Sequence, residues 1–255
     1  MKPLEQLTIL DLSRVLACPF ASMVLAELGA RVIKVEQPGG GDETRSFEPQ
    51  LAQDSAYYFA CNRSKESITV NLRSAEGKKI IRELAAKADV VVENFPVGTL
   101  GRYALDFASL SALNEKLIYV SCTGFGQTGP YAEKKGYDTV FQAMGGLMSL
   151  TGEKGGGPVK PGLPVADLTS GLWVAIAILA SLHGRARTWS TLMPARSFTS
   201  APAQNTGPFP RTNTSLILGS TADAIRRRSS HIASLSALRA SGRFSVTVAT
   251  ARSTE

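Results

Sequence analysis

Disulfide and metal chemistry have little to work with in this sequence. Cys18, Cys61 and Cys122 are odd in number and scattered, no two form a C-x-x-C pair, and only two histidines, His183 and His231, are present. Neither a disulfide framework nor a zinc site is written here, and a reducing compartment fits best. Neither histidine is near a candidate Ser or Cys in sequence, so no triad is visible. Residues Met1 to Glu5 lack the apolar core of a signal peptide, and the longest apolar run, Leu172 to Leu182, is too short to span a bilayer. The expectation is a soluble, cytoplasmic protein with no resident metal and no membrane partner.

Lysine is absent from the last quarter of the chain. The 255 residues carry a formal net charge of +7, which invites a nucleic-acid reading until the charge is located. Met1 to Thr188 holds 20 Lys+Arg against 19 Asp+Glu, whereas Trp189 to Glu255 holds 8 Arg, no Lys and 2 acids. The basicity belongs to the tail, which has few aromatics and no recognisable module, so no nucleic-acid partner is expected.

Residues 1–188 read as an α/β domain. Leu7 to Leu12 is a buried strand, Pro19 to Gly29 a helix punctuated by Pro and Gly, and Arg31 to Glu36 a strand of period two. After a loop from Gln37 to Gln53 come a strand (Ser67 to Leu72), a helix from Ser74 and a strand (Asp89 to Glu93). Ile80, Ile81, Leu84 and Ala85 are expected to form the apolar stripe of that helix. Leu117 to Cys122 is a further strand, and Gly171 to His183 a long apolar helix. Strands separated by helices predict a Rossmann-like, mostly parallel sheet covered on both faces, with ligands at the carboxyl ends of its strands. Residues 189–255 contain 12 Ser and 9 Thr and show no sustained periodicity beyond a weak helix over Ser229 to Ala240. An irregular tail is expected, either naturally disordered or the product of a frameshift, since reading a GC-rich gene out of frame makes such a switch.

Two motifs compete for the chemistry. Gly124 to Gly129 matches G-x-G-x-x-G after a strand, but Pro130 and Glu133-Lys134-Lys135 leave no helix to open within it, so a dinucleotide reading is set aside. Asp167 precedes the apolar helix, and its spacing is that of an N-cap. A carboxylate there is expected to be held ionised by the helix terminus, as a carboxylate nucleophile must be. Gly162 and Gly171 flank it and would let a bulky ligand approach. Arg14, Arg73, Arg102, Lys134 and Lys135 lie in or near strand-end loops and would form a cationic surface if those loops converge.

The segments LTILDLSRVLACPFASMVLAELGARVIKVEQPGGGDETR, NRSKESITVNL, DVVVENFPVG, TGFGQTGPYAEKKGYD and PVADLTSG occur in order between about Leu4 and Thr188. In this order they resemble the family III (CaiB/BaiF-type) coenzyme A transferases, and within them most closely the succinyl-CoA:glutarate CoA-transferases. The resemblance implies transfer of coenzyme A from an acyl-CoA donor to a carboxylic, and by the closest members dicarboxylic, acid. Coenzyme A is then a substrate, and no cofactor is permanently bound. It implies that Asp167 attacks the donor thioester, giving an aspartyl anhydride and then an aspartyl-CoA thioester. It further implies coenzyme A contacts at Arg14, Val15, Leu16, Ala17, Val70 to Arg73, Asn94, Phe95 and Arg102, and a loop of Lys135, Tyr137 and Asp138 closing over the thioester. Gln37 falls where family members often carry a base. Racemases of 2-methylacyl-CoA thioesters share the family and typically read GHD where this chain reads Gly136-Tyr137-Asp138, so transfer is favoured over racemisation. Family members run well beyond Thr188 and form interlocked homodimers, and neither that wording nor a glycine-rich loop over the catalytic Asp follows here. An inactive coenzyme A-binding remnant is therefore a third reading.

Overall fold

The structure is a computed structural model that describes residues 2–51, 54–186 and 245–250 of the chain. The chain runs β1 (Thr8–Asp11), α1 (Ala17–Glu27), β2 (Arg31–Glu36), the short antiparallel strands β3 (Gln50–Leu51) and β4 (Asp54–Ser55), and α2 (Ala56–Asn62). It continues through β5 (Glu66–Thr69), α3 (Ala75–Ala85), β6 (Val90–Glu93), α4 (Phe107–Ser111), β7 (Ile118–Thr123), α5 (Asp138–Met144), α6 (Val165–Ala186) and β8 (Ser245–Thr250). The main sheet has the order β5-β2-β1-β6-β7-β8, parallel except for β8. From β1 the chain winds outward to β2 and β5, then returns to the other side of β1 for β6 and β7. The reversal falls between β1 and β6, where an open α/β sheet leaves a crevice at its carboxyl edge.

Alternation along the strands builds two cores. Ile9, Val32, Val90, Val92, Ile118 and Val120 pack under α1 and α6, against Ala21, Leu25, Val174 and Ile178. Leu10, Ile33, Val35, Val91 and Tyr119 face the other way, against Ile81, Ala85 and Leu110 of α3 and α4. Such two-sided burial is what parallel strands of continuous β-branched residues require.

Three expectations need correction. Helix α6 begins at Val165, just after Pro164, so Asp167 lies within its first turn instead of preceding it. In α3 the buried stripe is Gly77, Ile81 and Ala85, while Ile80 is exposed, because the close approach of Gly77 to the Asn71 carbonyl sets the rotation of the helix. The tail supplies β8, which runs the length of β7 with Ser245 opposite Thr123 and Thr250 opposite Ile118. Its sequence SVTVAT is β-prone, and an apolar edge strand is a template for it. The rest of the tail, including Ser229 to Ala240 and His231, and with it the choice between frameshift and disorder, lies outside the described residues.

By length and composition alone Val165–Arg185 is long and apolar enough to cross a membrane. One side of it, however, is buried on α1 and the sheet through Ser170, Val174, Ala175 and Ile178, as in a core helix. Its other side exposes Leu172, Trp173, Ile176 and Leu179.

Candidate active site

Three of the parallel strands end in a buried carboxyl group, Asp11, Glu36 and Glu93, at the edge where ligands are expected. Asp11 accepts hydrogen bonds from the Ser13 N–H at 2.9 Å, the Ser22 hydroxyl at 2.5 Å and Lys65 Nζ at 3.0 Å, and from the Ser13 hydroxyl. Burial pushes its pKa up, but Lys65, Lys34 and the two hydroxyls more than offset this and hold it well below the usual carboxylate range. Glu36 likewise sits low: burial is outweighed by Arg45, Ser67, the Asp42 N–H and the Tyr58 hydroxyl.

Above these groups the loop after β1 is held in a strained pose. Lys34 Nζ, itself fully buried, donates to the Ser13 carbonyl at 3.0 Å and to Asp42 at 2.9 Å. Asp42 in turn accepts from the Thr44 N–H and hydroxyl at 3.0 and 2.8 Å and, at 3.3 Å, from the Val15 N–H. Val15 has φ +67°, a left-handed conformation that costs a β-branched residue about 1–3 kcal/mol and persists only where its surroundings enforce it. The loop after β6 is tied to the same place. Asn94 accepts from the Arg14 N–H at 2.9 Å and donates to the Arg14 carbonyl at 2.7 Å, while the Arg14 guanidinium lies 5.6 Å from the centroid of the Phe95 ring.

Helix α6 brings Asp167 to this edge. At Gly171 a Cβ would lie 2.5 Å from the Ala17 carbonyl oxygen, so the glycine is what lets α6 close on the start of α1. This corrects the expectation that Gly171 opens space for a ligand: the space is taken by the Ala17 backbone. One turn earlier, Asp167 is mostly buried, and burial, with the charge of Asp138 second, raises its pKa to about 6. The expected self-capping is also corrected. Asp138 takes the free donors of the helix, accepting from the Ala166 N–H at 2.8 Å and the Asp167 N–H at 3.2 Å. Gln142 holds Asp138 by donating to its other oxygen and to the Leu163 carbonyl at 3.2 Å. The Asp167 carboxylate is thereby relieved of a capping role.

The remaining residues singled out in the sequence divide by exposure. Leu16, Ala17 and Val70 are buried core side chains, whereas Gln37, Arg73, Arg102, Lys135 and Tyr137 are exposed. Lys134 is drawn to the Tyr131 ring, 4.3 Å from its centroid. No helix opens within Gly124–Gly129, the next one being α5. Tyr57 escaped the sequence reading: its phenol pKa is raised by burial and, after Cys61, by the charges of Asp167 and Asp138, which marks it as a neighbour of both. Glu93 and the Lys34–Asp42 pair were also missed, although an acid closing an apolar strand, as in ILD, KVE and VVE, is a legible signal.

Comparison with known proteins supplies the lineage. The model of the CoA-transferase family III matches residues 4–190. The succinyl-CoA:glutarate CoA-transferase of Homo sapiens is 49% identical over 189 residues, covering 74% of this chain and 43% of that protein. The succinate–glutarate CoA-transferase of Agrobacterium fabrum is 49% identical over 187 residues, 71% of this chain and 47% of its own length. Among solved structures, a CAIB/BAIF family protein from Brucella suis superposes with a TM-score of 0.71 at 50% identity, covering 73% of this chain and 50% of that one. The chain thus spans about half the length of the curated relatives it matches. The family model covers well over half of the chain and the solved relative shares its α/β architecture, so the chain belongs to CoA-transferase family III.

Proposed function

We propose that this chain carries the coenzyme A-binding and nucleophilic half of an enzyme that moves coenzyme A from an acyl-CoA to a carboxylic acid, with Asp167 as nucleophile. The observation that carries the reading is Asp167 itself, mostly buried at the start of α6, with its capping work done by Asp138. A carboxyl group with pKa about 6 is largely ionised at neutral pH and more basic than a solvated carboxylate, both of which favour attack on a carbonyl. Its oxygen forms a bond to the thioester carbonyl carbon as the C–S bond breaks, giving a mixed anhydride and coenzyme A thiolate. The thiolate attacks the aspartyl carbonyl, releases the donor acid and leaves an aspartyl-CoA thioester. The acceptor carboxylate repeats the two steps in reverse and regenerates Asp167, so no oxidant, metal or outside proton source is needed.

Arg14, Arg73, Arg102 and Lys135 supply cations for the phosphates of coenzyme A. The strand-end backbone at Val15, Leu16, Ala17 and Val70, with Asn94 and Phe95, receives its nucleotide and pantetheine portions, Gln37 lies at the margin, and Tyr137 and Asp138 border the thioester. Dicarboxylic acids are the proposed acceptors, because the human and Agrobacterium relatives are named for succinate and glutarate. The apolar outer face of α6 is where a second copy, or the further length that relatives possess, would pack and exclude water from the anhydride. Racemisation is disfavoured because an exposed phenol, Tyr137, stands where racemases of the family carry a His.

The test is intact-protein mass spectrometry after incubation with succinyl-CoA or glutaryl-CoA, quenched with hydroxylamine. An adduct mapping to Asp167 and absent from Asp167→Asn is expected. Coenzyme A binding without an adduct would identify an inactive binding remnant, and labelling at another residue would overturn the mechanism.

A further inference from the structure

Behind the Phe95 loop lies a cavity of about 400 Å³, on the α4 side of the sheet and on the opposite face from α6. Its floor is Glu93, the last residue of β6, with Ser121 and Gln127 beside it and the rings of Phe95, Phe107 and Tyr119 around it. The proposed mechanism has no use for this carboxyl group. Yet Glu93 lies under three loops at once. It accepts from the Phe95 N–H at 2.7 Å, the first peptide N–H of the loop beyond Asn94. It also takes a hydrogen bond from the Ser121 hydroxyl, which itself accepts from Gln127 Nε2 at 2.7 Å, on the glycine-rich loop after β7. The adjacent Asn94 is locked to the Arg14 backbone, which extends the connection to the loop after β1.

We infer that Glu93 is a positioning residue for coenzyme A binding: its ionised carboxylate, tied to Phe95 and through Ser121 to Gln127, holds the 94–102 loop in the pose that receives the nucleotide. The inference rests on the coenzyme A reading of that loop. Among the described residues the carboxylate meets the Phe95 N–H and, beside it, the Ser121 hydroxyl, but no cation. The titratable groups around it are Asp106 at the start of α4, which shares the cavity, Tyr119 on β7, and Cys18 on α1, whose thiol donates to the Glu93 carbonyl from the other face of the sheet. All are acids. Among the described cations of this region, Arg14 is over the Phe95 ring at the surface and Arg102 at the end of the loop is exposed. Burial without a countercharge raises the Glu93 pKa to about 7, against the smaller opposing effects of Ser121 and the Phe95 N–H. The tether therefore changes from charge-assisted to neutral across the physiological range, and coenzyme A affinity should fall with it as pH drops.

Calorimetric titration of coenzyme A into the 255-residue chain tests this, with Glu93→Gln retaining an acceptor for Phe95 but no charge. The parent should bind about fivefold more weakly at about pH 6 than at about pH 8.5, beyond whatever change Glu93→Gln shows from titration of the ligand phosphate, as expected for loss of a charge-assisted bond. Glu93→Gln should bind at every pH as the parent does when acid, with an unchanged circular dichroism spectrum. Ser121→Ala, which removes a donor to the carboxylate, should move the midpoint of the parent profile to higher pH, a shift that a merely structural contact would not produce. Parallel profiles for parent and Glu93→Gln, or an unmoved midpoint in Ser121→Ala, would overturn the inference while leaving the coenzyme A reading intact. Absence of coenzyme A binding to the parent at any pH would overturn both.

Discussion

On the β1–β2 side of the switch point, Asp11, Glu36 and Asp42 each meet a cation, Lys65, Arg45 and Lys34 respectively, whereas Glu93 at the end of β6 and Asp167 on α6 meet none among the described residues. Asp167 is the least buried of them, yet burial pushes Asp11, Glu36, Glu93 and Asp167 all upward, so the partner decides the outcome. Asp11 and Glu36 are held below the normal range, while Glu93 and Asp167 are raised to about 7 and about 6. A paired carboxylate is fixed in one charge state and serves as scaffold, here for the strained loop at Val15. An unpaired one remains able to titrate and to react, and such groups gather at functional sites. The scaffold side thus carries the geometry, and the unpaired side carries the chemistry.

Breaking a pair is the harshest test of this contrast. Lys34→Met should leave Asp42 buried without its cation and remove the donor to the Ser13 carbonyl, at a cost of about 3–5 kcal/mol in urea unfolding. A loss below about 1 kcal/mol would mean that the pair behaves like a surface ion pair and does not support the loop. The junction between the two sides comes next. Gly171→Ala sets a methyl group 2.5 Å from the Ala17 carbonyl oxygen, a backbone atom that cannot rotate away. A destabilisation of about 3 kcal/mol is expected, together with loss of any Asp167 adduct as α6 lifts from α1.

Much of this arrangement was legible in the sequence, and what was missed has a physical reason. Period-two alternation and Gly or Pro punctuation placed the parallel strands to within a few residues, because each strand end is a local event. Helix α6 was started too late because Val165 to Ser170 mixes apolar and polar residues, and its helical state is completed by Asp138, 28 positions away along the chain. The same distant contact made the self-capping of Asp167 wrong. Lys34 looks like the polar position of an alternating strand, and only the tertiary fold shows that this face is covered by α1 and that Asp42 waits there. Strand β8 was missed since a short β-prone hexapeptide has no meaning until an open edge such as that of β7 exists to receive it.

On the unpaired side, removing the charge should stabilise. The Asp167 pKa rises from 3.8 to about 6 on folding, so the native state holds its proton more tightly than the unfolded chain. The corresponding stability is fully present below the unfolded value and is lost as pH rises through about 6. Asp167→Asn should therefore leave stability near about pH 4 almost unchanged and gain about 2 kcal/mol above about pH 7, a figure reduced for the partial exposure of the group. Urea midpoints measured across pH give the answer. A variant less stable than the parent at alkaline pH would show that Asp167 has a partner that its geometry does not reveal, and the contrast between the two sides would fail at its most important residue.

The smallest effect on stability is expected at Val15, where it separates scaffold from mere packing. Val15→Gly relieves a left-handed conformation costing about 1–3 kcal/mol, but the glycine gains freedom in the unfolded chain worth about 0.5–1 kcal/mol, and a half-buried side chain is lost. These terms nearly cancel, so the urea midpoint should move by less than about 1 kcal/mol. Binding should not be so indifferent. The strain at Val15 is sustained by Asp42 and Lys34 through the Val15 N–H and the Ser13 carbonyl, and a loop that is free to leave this pose must be ordered again by each ligand. Coenzyme A affinity should therefore fall several-fold in calorimetry while the fold is retained, the cost appearing as a less favourable binding entropy. If Val15→Gly instead loses stability as heavily as Lys34→Met, Val15 is a packing residue whose backbone conformation is incidental. If it binds coenzyme A as tightly as the parent, the buried pairs beneath it serve the fold alone.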